Sequence, residues 1–141
     1  MTWPLMTEAE LHKLGIEAIV PSLPREGVTV EAVNTDPAES PQIIGKRWGA
    51  SAFVLVRTAC YPKKGELGAA AASQLLALAD KHQAHAFFAS VGVMCIAYPD
   101  GSLVTSDGDR SLPIKEGTYA IAYEGLVVVT ASDRVTIWPP E

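Results

Sequence analysis

Arg57 sits in a setting that asks for a chemical explanation. It interrupts the apolar run Phe53-Val54-Leu55-Val56, and because strand side chains alternate it shares a face with Phe53, Leu55 and Ala59. A guanidinium there must be paired or reach water. The surrounding charge is uneven. Between Pro41 and Gly65 stand five cations (Lys46, Arg47, Arg57, Lys63, Lys64) and no carboxylate, within a chain of net charge −5, so the remainder carries −10. One expectation is therefore a local anion-binding face drawn from Lys46, Arg57, Lys63 and Lys64, with the arginine able to grip a carboxylate or phosphate through two parallel hydrogen bonds.

Other chemistry-bearing types are weaker. His82 and His85 have i,i+3 spacing, which can bring them together at a helix end. No third ligand of suitable spacing accompanies them, so a histidine meeting the helix dipole is the expected reading. Asp100, Asp107 and Asp109 lie among glycines as turn residues do and lack the twelve-residue calcium loop. Cys60 follows Arg57 and precedes Tyr61, which would lower its pKa if it were exposed. Both Cys60 and Cys95, however, lie in apolar runs without a CxxC, as buried reduced thiols do. GxSxG, GxGxxG and Walker-type loops are absent, and Gly65-Glu66-Leu67-Gly68 is no phosphate cradle. No metal site and no cofactor are expected.

The 141 residues suit one domain, here 1–141, and 48% hydrophobic against 19% charged residues is globular composition. The net charge of −5 opposes general nucleic-acid binding, which needs a basic surface. The longest apolar stretch, Ala69 to Ala72 with Leu75 to Ala79 beyond, is broken by Ser73 and Gln74 and falls short of the ~20 residues a membrane span needs. Residues Met1 to Leu14 carry Glu8, Glu10 and Lys13 rather than a basic region before an apolar one, so a secretory signal is not expected and the cytoplasm is the expected compartment.

The elements that must position these residues read as α/β. Thr7 with Glu10 forms a capping box ahead of an apolar stripe (Leu11, Leu14, Ile16, Ile19, Val20) weakened by Gly15 and ended by Pro21 and Pro24. Strands are expected at Val28–Val33, Gln42–Arg47 and Ser51–Cys60, the last two joined at Trp48-Gly49-Ala50 as a hairpin. Glu66–His82 reads as an alanine- and leucine-rich helix and Ala84–Tyr98 as a long strand turned by Pro99-Asp100-Gly101. Further strands follow at Thr118–Tyr123, Leu126–Thr130 and Val135–Trp138, while Trp138-Pro139-Pro140 makes a terminal tail. The crossover through the second helix should place Ser51–Cys60 and Ala84–Tyr98 parallel, within a central mixed sheet flanked by helices.

The run from Gly15 to Ala79 resembles the restriction-endonuclease-like superfamily, nearest its small Holliday-junction-resolvase-like branch. GIEA (15–18) supplies the helix pattern with Glu17, VEAVN (30–34) the first strand with Asn34, and PQIIGKRWGASAFVLVRT (41–58) the hairpin. In that branch the hairpin carries an aspartate and a Glu-x-Lys pair at a metal site. The resemblance places Gln42 at the aspartate, Leu55 at the glutamate and Arg57 at the lysine. It covers about half of the chain, and the strands after Tyr98 have no counterpart. The string VRTACYPKKGEL (56–67) is also similar to an uncharacterised bacterial family, which implies no activity.

Mg²⁺-dependent phosphodiester cleavage needs carboxylates to hold the ion. Gln42 offers a neutral oxygen, Leu55 nothing, and Arg57 cannot release a proton. The resemblance therefore implies a degenerate cluster of Glu17, Gln42 and Arg57 with no catalytic residue. It carries the expectation that Glu17 and Arg57 lie within hydrogen-bonding reach, with Gln42 beside them. Three functions follow from the sequence: a non-catalytic binding or assembly domain with a protein partner or a second copy, a divergent nuclease drawing on Glu17, Asp36 or Glu39, and a small-anion or nucleotide binder. Nucleic acid is a less favoured partner, and a membrane is not one.

Overall fold

A computed structural model describes residues 3–36 and 40–130. The expected strand Val135–Trp138, the tail Trp138-Pro139-Pro140 and Glu39 lie outside the described residues. Helix α1 (Glu8–Ile19) begins at Thr7, whose side chain accepts the Glu10 amide proton while the Glu10 carboxylate accepts that of Thr7, a complete capping box. The helix passes into a 3-10 turn (Val20–Glu26) at the prolines and ends at Gly27, whose φ of +81° closes the turn. Strands β1 (Val28–Val33), β2 (Ile43–Arg47) and β3 (Ala50–Cys60) form an antiparallel meander. The loop between β2 and β3 has two residues, Trp48 and Gly49, at φ +49° and +86°, the positive-φ pair of a type I′ hairpin.

Helix α2 (Ala69–Lys81) crosses to β4 (His85–Ala97), which lies parallel to β3 from Ala52↔His85 to Cys60↔Val93. The helix starts at Ala69 rather than at Glu66 because the residues before it are otherwise engaged. Gly65 donates to the Val91 carbonyl, accepts from Ser90 Oγ and lies against the Arg57 backbone, where a β-carbon would come within 1.9 Å of the carbonyl oxygen. A short helix α3 (Asp107–Arg110) follows, then β5 (Thr118–Ala122) and β6 (Val127–Val128), both antiparallel to β4. The six-stranded mixed sheet has the order β1-β2-β3-β4-β5, with β6 also on β4. Strand β3 is thus central, as its run of consecutive apolar residues requires.

Strands β5 and β6 share one track. Ala122 pairs with Gly92 and Val127 with Phe88, so four residues, Tyr123 to Leu126, lie opposite three of β4. The interruption is clasped from the far end of the chain: Glu26 accepts from the Tyr123 hydroxyl at 2.5 Å and from the Leu126 amide at 2.8 Å. Burial in that clasp pushes the Tyr123 phenol well up.

Two cores sandwich the sheet. Ile16, Ile19 and Leu23 pack with Ala52, Val54, Val56, Phe87, Ala89 and Val91 on the α1 face. Leu75 and Ala79 pack with Phe53, Leu55, Ala86 and Phe88 on the α2 face. Helix α1 comes very close to β3: a β-carbon on Gly15 would lie 1.9 Å from Thr58 Oγ1. The glycine that weakens the helix pattern is what lets the helix seat. Among the described residues no helix is long and apolar enough to cross a membrane.

Candidate functional site

The position singled out by the hairpin pattern lies where β2 begins and β3 runs on. Strand β2 pairs with β3 over Ala50 to Val54, while β3 continues to Cys60. Beyond the pairing, side chains serve the backbone of β3. Gln42 Oε1 accepts the Val56 amide proton at 2.7 Å, and Arg57 Nη1 donates to the Val56 carbonyl at 3.3 Å. Gln42 is buried, and its own amide donates to the Val54 carbonyl, so residue and side chain together prolong the ladder past its last strand residue. Leu55 is likewise buried, in the α2-face core.

Glu17 does not join them. Its carboxylate lies 3.8 Å from Lys13 Nζ on the exposed side of α1, and among the described residues no ion pair links it to Arg57. The expected Glu17–Arg57 pair is therefore absent, for a geometric reason. Helix α1 turns Ile16 and Ile19 into the sheet, which carries Glu17 to solvent, and Arg57 finds its oxygen on the Val56 carbonyl. The expected anion-binding set is also split. Lys46 pairs in register with Ser51, six residues and about 20 Å along β3 from Arg57. Lys63 and Lys64 lie past the end of β3 in the loop over Gly92, and Lys64 Nζ stands 3.5 Å from the exposed Glu124.

His12 belongs to no sequence motif that marks a site residue. It is buried on α1 one turn before Gly15, and its Nε2 has no hydrogen-bond partner; neither has the buried Thr58 Oγ1. Burial lowers the His12 pKa, the Arg57 cation lowers it further, and Asp36 partly offsets both. The helix-face position of His12 beside a glycine was the available clue, and a lone histidine there reads equally as core. Cys60 is half-buried, and burial raises its thiol pKa, opposite to the lowering that exposure beside Arg57 would give. His82 caps the end of α2 and packs against Phe53 at 5.6 Å between ring centroids, whereas His85 opens β4 beside Phe87, so the two do not converge. Among the described residues no three His, Cys, Asp or Glu side chains cluster as metal ligands.

A family model described as Domain of unknown function (DUF8840) matches residues 9–129, from the first turn of α1 to the residue after β6. The chain belongs to that family. No curated protein and no solved structure matches it. The DUF8840 match takes in α1 from its second residue, α2, α3, the whole sheet and the Glu26 clasp, so the strands beyond Tyr98 are integral to the family's unit.

Two of the open cavities on this DUF8840 domain carry cationic side chains in their lining. One, of about 280 Å³, has a floor of Gly92, Met94, Ala120 and Ala122 under the Tyr61–Lys64 loop. The other, of about 340 Å³, lies at the β2–β3 hairpin tip and is lined by Arg47, Trp48, Ala50, His85, Phe87 and Val128. There the Arg47 guanidinium carbon sits 4.3 Å from the Trp48 ring centroid and 5.0 Å from that of Phe87, a cation held between two aromatic rings.

Proposed function

We propose that this domain is a non-catalytic binding or assembly module on a nuclease-like scaffold. The order of elements supports the scaffold: a helix, a three-strand meander, a crossover helix and a parallel return strand, as the sequence resemblance implies. The observation that carries the non-catalytic reading is the Gln42–Val56 hydrogen bond. Where such a scaffold would aim a carboxylate at a metal, this chain has a neutral amide whose oxygen completes the sheet. Leu55 beside it belongs to a core, and Glu17 faces water beside Lys13. None of these groups is arranged to hold Mg²⁺ or activate water.

The test is incubation of purified protein with Mg²⁺ or Mn²⁺ and duplex, branched or single-stranded DNA, alongside calorimetric titration with Mn²⁺. No cleavage and no saturable heat are expected. Cleavage abolished by Glu17→Ala would establish a divergent nuclease instead.

A second reading, a small-anion binder, is favoured by the cavity under the Tyr61–Lys64 loop, whose apolar floor lies beside Lys63 and Lys64. It fits an amphiphilic carboxylate better than a bare phosphate. Octanoate titrated against ¹⁵N-labelled protein should shift the Gly92 and Ala120 amides if this reading is correct and leave them unmoved if it is not.

A further inference from the structure

We propose that the β2–β3 hairpin tip docks an acidic segment of a protein partner, which inserts one apolar side chain into the cavity between Trp48 and Val128. The inference rests on the binding-module reading and names where that module binds. Trp48 occupies a turn position at φ +49°, which favours Asn, Asp or Gly, and 77% of it is exposed. An indole held in water at a strained backbone position is a feature the fold does not need. It is nonetheless held by specific contacts. Arg47 stacks on its face and donates through Nε to the Glu26 carbonyl at 3.0 Å. The Trp48 amide donates to the Gly27 carbonyl, and the ring lies over Gly27, where a β-carbon would meet Nε1 at 2.1 Å. Gly27 thus answers the indole as well as the turn.

The surroundings match a recognition site. Tryptophan and arginine are the side chains most often central to protein interfaces. Val128, 58% exposed on β6, supplies an apolar wall of the cavity on the face of the sheet that carries Phe87. The nearby charge is basic. Arg25 is exposed three residues before Val28, which pairs with Arg47, and Arg47 itself lines the cavity. The Glu26 carboxylate next to them is already engaged by Tyr123 and Leu126. An acidic peptide therefore gains Arg47, with Arg25 nearby, around an apolar anchor. The overall charge of −5 and the valine-lined wall favour a peptide over nucleic acid.

The experiment is selection of a displayed random dodecapeptide library on the full chain, followed by fluorescence polarisation with the enriched peptides. Acidic peptides carrying one large apolar residue should be enriched. Trp48→Ala and Val128→Lys should each weaken them at least tenfold, while Leu103→Ser, at an exposed apolar residue elsewhere, leaves affinity unchanged. The three altered residues are exposed, and unchanged unfolding midpoints will establish that the variants fold. Enriched peptides indifferent to both tip variants overturn the docking site and leave the binding-module reading standing. Failure to enrich any acidic peptide overturns the site as well. Trp48-dependent binding of oligothymidylate tighter than any selected peptide overturns it in favour of single-stranded nucleic acid. Metal-dependent cleavage lost in Glu17→Ala defeats the underlying reading and is scored separately.

Discussion

Gln42 Oε1 accepts the Val56 amide proton at 2.7 Å in the interior, one residue before β2 begins. A side chain thereby does for β3 what a longer β2 would have done with its backbone. Gln42→Leu keeps comparable bulk and removes the acceptor, leaving a buried N–H unsatisfied. It should cost about 1–3 kcal/mol in urea unfolding. A loss below about 0.5 kcal/mol, the range of an inconsequential surface change, would show that water serves the amide equally well.

The absence of a Glu17–Arg57 contact has its own measurable consequence. Glu17→Gln should cost less than about 1 kcal/mol, because its exposed partner Lys13 contributes little. In a double-mutant cycle with Arg57→Met the two changes should add within about 0.5 kcal/mol, as they do for residues that share no partner. Coupling well beyond that would restore the buried pair that the resemblance implies.

Gly15 should be nearly irreplaceable. Intrinsic helix propensity favours Ala over Gly by about 1 kcal/mol, but a β-carbon would collide with the Thr58 side chain, including Cβ and Cγ2 at 2.9 Å. Packing decides the sign. Gly15→Ala should destabilise by about 1–3 kcal/mol, in the range of overpacked cores. Adding Thr58→Ala should recover part of the loss by removing the closest atom, and a loss unchanged by it would locate the strain elsewhere.

His12 makes stability depend on pH. Its folded pKa is lowered, chiefly by burial, from an ordinary 6.5, so the unfolded chain binds the proton more readily. Its contribution is fully present above pH 6.5 and is lost as the pH falls from there through the lowered folded value. Urea midpoints should drop between pH 7 and pH 5 in the wild type, and drop less in His12→Leu. Equal slopes in the two proteins would assign the pH dependence to other groups.

What the sequence disclosed, and what it withheld, divides along physical lines. The capping box at Thr7 and Glu10, the bounds of β1 and the parallel β3–α2–β4 crossover follow from local pattern and chain handedness, and they appear as expected. The start of α2 did not, because the residues before it are held by tertiary contacts of Gly65 that no window reveals. The site reading failed where orientation mattered. The resemblance implied one neighbourhood for Glu17, Gln42 and Arg57, but whether a helix side chain faces sheet or solvent depends on the whole stripe, and Ile16 and Ile19 took the inward positions. Trp48 was readable as part of a turn and not as an exposed aromatic, since exposure is set by Gly27 and Arg47 packing around it.

The Glu26 clasp spans 97 residues to Tyr123 and 100 to Leu126, so it imposes an order on biosynthesis. As the chain leaves the ribosome, α1, the meander and the crossover can all form before either donor has been translated. Until Tyr123 emerges the Glu26 carboxylate has neither donor, and until Thr118–Ala122 emerges the outer side of β4 has no partner strand. The nascent protein therefore exposes the bare edge of β4 while the stretch between Ala97 and Thr118 is being made, and a chaperone that shields strands would find its substrate in that interval.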